Sequence, residues 1–110
     1  MTEGTISAVD DAEVSALPTA FALQQNYPNP FNPATVIRFQ LPVSSKVRLA
    51  IYSIAGQLVR TMVDRSSAAG AHSVAWNGRN ERGHAVSSGV YVYKLEAGEF
   101  VETRKMSFVR

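Results

Sequence analysis

Thr35-Val36-Ile37-Arg38-Phe39-Gln40-Leu41, closed by Pro42, and then Lys46-Val47-Arg48-Leu49-Ala50-Ile51-Tyr52-Ser53-Ile54, decide how this chain folds. In the first, Ile37, Phe39 and Leu41 fall on one side of an extended chain, and Val36, Arg38 and Gln40 on the other. A period of two is that of a half-buried β-strand, and Pro42, with no N–H to give to a ladder, ends it. Residues 42–45 then read as a turn. In the second stretch Val47, Leu49 and Ile51 oppose Lys46, Arg48 and Ala50, with Tyr52 continuing the second set. Ala55-Gly56 interrupts the pattern and residues 57–63 resume it, so residues 46–63 read as a hairpin around a short glycine-containing loop.

The same reading extends toward the C-terminus. Residues 66–70 are small, and residues 71–76 place His72, Val74 and Trp76 on one face of a further strand. Residues 77–83, Asn-Gly-Arg-Asn-Glu-Arg-Gly, hold only turn formers and charges and predict an exposed loop. Residues 89–95 are apolar on both faces, Tyr91, Tyr93 and Leu95 against Val90 and Val92, which predicts a central strand covered on both sides. Ala97-Gly98-Glu99 turns the chain, and residues 100–109 return. That last stretch alternates imperfectly, because Phe100, Met106 and Phe108 share a phase with Glu102 and Arg104. Either a bulge near Thr103 or a sheet edge that leaves the charges in water accommodates it. With a short pairing segment at residues 21–24 the count reaches about seven strands, with turn signals every 8 to 12 residues. The fold class predicted is all-β, an immunoglobulin-like antiparallel β-sandwich.

Composition divides the chain. All five prolines lie at or before position 42, and six of the seven glycines at or after position 56. Ahead of Arg38 there is no basic residue, and Glu3, Asp10, Asp11 and Glu13 give −4; the remainder carries +6, a split concealed by the overall +2. Residues 1–20 mix small, acidic and isolated apolar positions without a sustained period, and read as a flexible linker to an upstream cargo domain. Residues 10–17 could form one or two helical turns, although isolated helices shorter than about 12 residues are marginal in water. Met1 ahead of this stretch suggests a module taken from a longer protein, with residues 21–110 as its folded domain. Residues 1–20 lack the basic start and the apolar run of about 7 to 15 residues of a secretory signal peptide. No apolar run approaches the roughly 20 residues of a membrane-spanning helix.

Chemistry finds little to use. Without cysteine the chain has no disulfide, zinc–thiolate or thiol-nucleophile option. Its basic residues are dispersed, with no run longer than two, so no nucleic acid is expected. His72 shares a face with Val74 and Trp76 and reads as a core histidine rather than a ligand. The 77–83 loop has the rhythm of a calcium loop, but Asn77 and Asn80 stand where carboxylates are needed and Arg79 lies between them. There is no G-x-S-x-G nucleophile elbow, and Asp64 is the one aspartate of the predicted domain. No catalytic residue, metal or cofactor is expected, and the chain is not read as an enzyme. Tyr91, Tyr93 and Trp76 could form a stacking platform for polysaccharide, but a small sandwich needs such rings inside.

One segment stands apart: Asn26-Tyr27-Pro28-Asn29-Pro30-Phe31-Asn32-Pro33. Its prolines fix their own φ and push Tyr27, Asn29 and Asn32 toward extended geometry, while asparagine side chains close local turns. A rigid entry results, from which Tyr27 and Phe31 are expected to plug the open end of the sandwich. Together with Ile54-Ala55-Gly56-Gln57-Leu58-Val59, Trp76-Asn77-Gly78-Arg79, Ser88-Gly89-Val90-Tyr91-Val92-Tyr93 and Thr103-Arg104-Lys105-Met106, residues 21–110 resemble the type A C-terminal sorting domain of the type IX secretion system. That domain is similar in fold to the immunoglobulin-like domain of the flagellar hook-capping protein.

The resemblance implies a non-catalytic module at the end of a larger secreted protein, read by the outer-membrane translocon and then either removed by a sortase-like peptidase of the same system or retained as an attachment domain. The chain is accordingly expected to be exported to the outer membrane, cell surface or extracellular space. Gly89 and Tyr91 match the family's Gly-x-Tyr strand, and residues 105–110, with Lys105, Met106 and Arg110, its basic last strand, preceded by Arg104. The family commonly has aspartates where Asn77 and Asn80 stand. The final hairpin, residues 91–110, is expected to be read through an edge strand with unpaired backbone groups, and loss of its last few residues to leave the fold native. The alternatives are an accessory carbohydrate-binding module and a structural spacer domain.

Overall fold

A computed structural model describes residues 18–110. Most of the 1–20 linker, including the 10–17 stretch, therefore lies outside the described residues. Seven strands follow in order: β1 (Ala22–Leu23), β2 (Thr35–Leu41), β3 (Ser45–Ser53), β4 (Leu58–Ser67), β5 (Gly70–Trp76), β6 (Gly89–Ala97) and β7 (Phe100–Phe108). They form two antiparallel sheets, β1-β2-β5 and β4-β3-β6-β7. This is the immunoglobulin-like sandwich that the alternation predicts.

The inner face of each strand is its apolar phase. Ile37, Phe39 and Leu41 from β2 meet Val47, Leu49 and Ile51 from β3 and Tyr91, Tyr93 and Leu95 from β6, all buried. Burying a large apolar side chain contributes roughly 1.5–3 kcal/mol, so this interface is the main source of stability. His72 continues the inner phase of β5: its ring stacks on Phe39 with centroids 5.1 Å apart, and its Nε2 lies 2.8 Å from the Ala68 carbonyl. It is half-buried with its polar edge partnered, as its position between apolar neighbours predicts.

The hairpin of β3 and β4 turns at Gly56, whose φ of +90° suits glycine. β4 outruns its predicted end at Val63 by pairing Asp64, Arg65 and Ser66 with Arg48, Val47 and Lys46. Two register shifts, between Leu49 and Ala50 and between Ile51 and Tyr52, bend this ladder.

Two strand-level expectations change. β6 is central, between β3 and β7, but covered on one face only: Val90 is 44% exposed, and Val92 and Lys94 are half-buried on the outer face. The apolar residues there form a surface with Tyr52, where the Lys94 ammonium lies 5.8 Å from the ring centre. β7 pairs with β6 in continuous register from Gly89–Phe108 to Ala97–Phe100, without a bulge at Thr103. The edge position resolves its mixed phase: Glu102 and Arg104 are half-buried at the rim and pair at 3.2 Å.

Candidate recognition surface

The proline–asparagine segment crosses from β1 to β2 around Asn26, one of two buried polar residues among those described; Thr35 is the other. Asn26 Nδ2 donates to the Thr35 hydroxyl at 3.0 Å and to the Pro28 carbonyl at 3.1 Å, and Oδ1 accepts from Gln25 Nε2 at 2.6 Å. The backbone N–H of Asn26 donates to the Tyr93 hydroxyl at 2.8 Å, which itself donates to the Gln24 carbonyl at 2.7 Å. Burial, the largest influence, raises the Tyr93 pKa, and the hydrogen bond from Asn26 opposes it. A buried polar group is costly unless partnered, and here nearly every valence is used. The peptide bonds preceding Pro28, Pro30 and Pro33 are cis.

Of the two aromatic plugs expected, one is a plug. Phe31 is 1% exposed, stacked on Phe108 at 4.8 Å and tilted against Trp76 at 5.5 Å. Tyr27 is 73% exposed: its backbone pairs with Val36 in both directions, which turns the side chain to water. Pro28, Asn29, Pro30, Asn32 and Pro33 are exposed beside it.

The segment is also bonded to the last strand. Phe31 N–H donates to the Ser107 carbonyl and Val109 N–H to the Phe31 carbonyl, both at 3.0 Å. Ser107 N–H donates to Asn29 Oδ1 at 2.9 Å, and Gln25 Nε2 to the Lys105 carbonyl at 2.7 Å, 80 residues away in sequence. Arg104 Nε reaches the Leu23 carbonyl at 2.6 Å, tying β7 to β1 across the two sheets.

These bonds correct the expectation of an open final edge. The Lys105 carbonyl, both outward groups of Ser107 and the Val109 N–H are taken up by residues 25–31, leaving the outward groups of Val101 and Thr103 and the Lys105 N–H as the unstitched part. Nor can the chain lose its last few residues and keep this packing, because Phe108 is 4% exposed and completes the cluster around Phe31.

The remaining motif residues serve the same end of the sandwich. Gly89 opens β6 opposite Phe108. Tyr91 meets Trp76 edge-on at 5.6 Å and donates to the Ser87 carbonyl at 2.6 Å; Met106 is buried. Arg110 sits over Phe108 at 5.5 Å, its guanidinium donates to the Val86 carbonyl, and its N–H donates to Ser88 Oγ at 3.1 Å. Lys105 is exposed. Tyr91, Tyr93 and Trp76 are all buried, so they present no platform to a sugar.

In the 77–83 loop the asparagine oxygens point at the backbone. Asn77 Oδ1 accepts from Arg79 N–H at 3.2 Å, and Asn80 Oδ1 from the N–H groups of Arg82 and His84 at 2.9 and 3.0 Å. Such side-chain-closed turns explain asparagine here without an ion. The loop also docks on β4: Glu81 N–H donates to the Val59 carbonyl at 3.0 Å, and Glu81 Oε2 accepts from Thr61 N–H at 2.8 Å. Sequence reading missed this docking and the role of Gln25, for which no local pattern is a signal.

What the segment and the last strand create together is one surface: exposed Tyr27, Pro28, Pro30, Asn32 and Pro33 on a rigid base, flanked by Lys105 and Arg110. It has no nucleophile–base pair, and its chemistry is that of shape and positive charge.

Known proteins share this framework. PorZ of Porphyromonas gingivalis, described as an essential bacterial surface component of the type IX secretion system, superposes with a TM-score of 0.55 at 20% identity. The match covers 82% of this chain and 11% of that one. Dimeric latent PorU of P. gingivalis gives a TM-score of 0.64 at 17% identity over 82% of this chain and 9% of that one. FlgD of P. aeruginosa gives 0.53 at 25% identity over 67% of this chain and 58% of that one. The chain thus spans a small fraction of either P. gingivalis protein and less than two thirds of that FlgD. No curated protein sequence matches it. Residues 29–99 match the FlgD Ig-like domain, most of the sandwich from the proline segment to the last hairpin, and the chain belongs to that family.

Proposed function

We propose that this domain is a non-catalytic sorting and attachment module, which carries a covalently linked protein through the type IX secretion system to the cell surface. The observation that supports it most is the stitching of residues 25–31 to residues 105–109, which presents two distant motifs as one rigid surface. A receptor that reads this surface accepts only the folded domain. The outer-membrane translocon is the reader in this proposal, and a sortase-like peptidase of the same system the later partner. The likeness to PorZ supports the setting at the level of the fold.

Residues 21–110 fused behind a periplasm-targeted reporter are expected to bring it to the surface of a host with this secretion system. Tyr27→Ala with Lys105→Ala, both at exposed positions, is expected to lower export while leaving the melting temperature unchanged. A folded fusion that stays in the periplasm would overturn the proposal. It would favour the second reading that FlgD family membership supports, a structural spacer within a larger assembly.

A further inference from the structure

Two sheets have four edges, and three of them are closed, partly covered or blunted. β7 is bonded to the proline–asparagine segment. β4 carries two register shifts, the charges of Arg60, Asp64 and Arg65, and the docked Glu81. β1 is two residues long. These are ordinary means of keeping an edge from recruiting another strand.

β5 has none of them. Over seven residues, Gly70-Ala71-His72-Ser73-Val74-Ala75-Trp76, it has no charged side chain, no proline and no register shift against β2. Val36 exchanges backbone bonds with Tyr27 and the Arg38 carbonyl accepts from Gln24, so the even residues of β2 face β1 and the odd ones face β5. Their partners on β5 are Gly70, His72, Val74 and Trp76. The N–H and C=O groups of Ala71, Ser73 and Ala75 therefore point away from the sheet, and among the described residues none has a hydrogen-bond partner. All three residues are exposed.

We infer that β5 is a self-association edge, pairing antiparallel with β5 of a second copy of this chain about a two-fold axis at Ser73. The outward positions read Ala, Ser, Ala from either direction, so the axis sets Ala71 against Ala75 of the copy and Ser73 against its own counterpart. About six backbone hydrogen bonds form in this register, more than in any register shifted along the strand. The cross-strand pairs are small and uncharged, and nothing repels them. Arg38, beside Ser73 on β2, meets its counterpart only across three strand spacings, about 14 Å, beyond the Debye length at physiological salt. A single isologous contact of this kind closes as a dimer and does not propagate. β5 lies on the opposite side of the sandwich from β7, so the inference is independent of the export reading.

The chain has no cysteine, which allows a direct test. Across a hydrogen-bonded antiparallel pair the two Ser73 Cα atoms stand about 5.5 Å apart, within the range a disulfide spans. Ser73→Cys is expected to form a covalent dimer on mild oxidation at least tenfold faster than Thr103→Cys, a control on the free part of the β7 edge. In sedimentation equilibrium the unaltered chain is expected to show a concentration-dependent dimer in the micromolar-to-millimolar range. Ser73→Lys, which sets two ammonium groups across the axis, is expected to be monomeric with an unchanged melting temperature. A chain that stays monomeric into the millimolar range, a dimer that persists in Ser73→Lys, or equal cross-linking at both cysteines would overturn it.

Discussion

Asn26→Asp changes one amide to a carboxylate of the same shape. Asn26 is 2% exposed, and its Nδ2 donates to the Thr35 hydroxyl and to the Pro28 carbonyl. The hydroxyl's one proton is committed to that same carbonyl at 2.8 Å. A carboxylate has no proton for either acceptor. The ionised variant therefore loses two hydrogen bonds, about 1 kcal/mol each, and buries a charge paired with nothing but the Gln25 amide. An uncompensated buried charge costs about 3–5 kcal/mol. Protonation restores one donor and removes the charge, which brings the loss to about 1 kcal/mol. The introduced carboxyl is thus held above its unfolded pKa of about 3.9. Its contribution to folding is fully present below that value and is lost as pH rises through the folded pKa. At neutral pH the loss of at least about 3 kcal/mol corresponds to a fall in melting temperature of at least roughly 12 °C for a domain of this size. Urea unfolding at a series of pH values is the assay, with Asn26→Ala as the control that loses the bonds but gains no titration. A loss below about 1 kcal/mol at neutral pH, or a pH profile parallel to that of the unaltered chain, would refute the reasoning.

Two further perturbations act on the same end of the sandwich. Gly78 is buried at a φ of +74°, and a β-carbon there would meet Phe108 Cζ at 3.0 Å; Gly78→Ala is expected to cost at least about 1–2 kcal/mol in urea unfolding from the left-handed φ alone, and a neutral result would mean that both the backbone and Phe108 shift without cost. Burial raises the Tyr93 pKa, so the unfolded chain gives up this proton first as pH climbs past about 10, and stability falls from there. Tyr93→Phe is expected to remove this alkaline component and to cost about 1–3 kcal/mol at neutral pH through the stranded Asn26 N–H and Gln24 carbonyl. Tyrosinate absorbance followed alongside circular dichroism reads both.

The existence of the strands was legible because period two is written into β2, β3 and β5, and short glycine turns separate the hairpins. What lay on each face of β6 was not. Val90 and Val92 are as apolar as residues beneath a second layer, and periodicity carries no word about what covers them. For β7 the phase conflict of Glu102 and Arg104 was visible, but choosing the edge over the bulge needs the Arg104 bond to Leu23, a contact between residues 81 apart. The proline–asparagine segment was legible as rigid. That Phe31 turns inward and Tyr27 outward follows from the Tyr27–Val36 bridge, which alternation within the segment does not encode. The free β5 edge could have been read as a charge-free, proline-free strand, once its place at the end of a sheet was known.

The bonds between residues 25–31 and the last strand also set an order of events. Contacts between residues about 80 apart in sequence form late and slowly in a folding chain. Until Ser107 and Phe108 have been synthesised, Asn29 has no N–H to accept and Phe31 has only the tilted Trp76 ring beside it. A chain broken off before those residues carries the whole proline–asparagine motif and yet lacks the surface built from it. Any receptor for that surface therefore inspects the presence of residues 105–109 and the folding of the domain in a single contact, and a fragment without them fails with no need of a separate checkpoint.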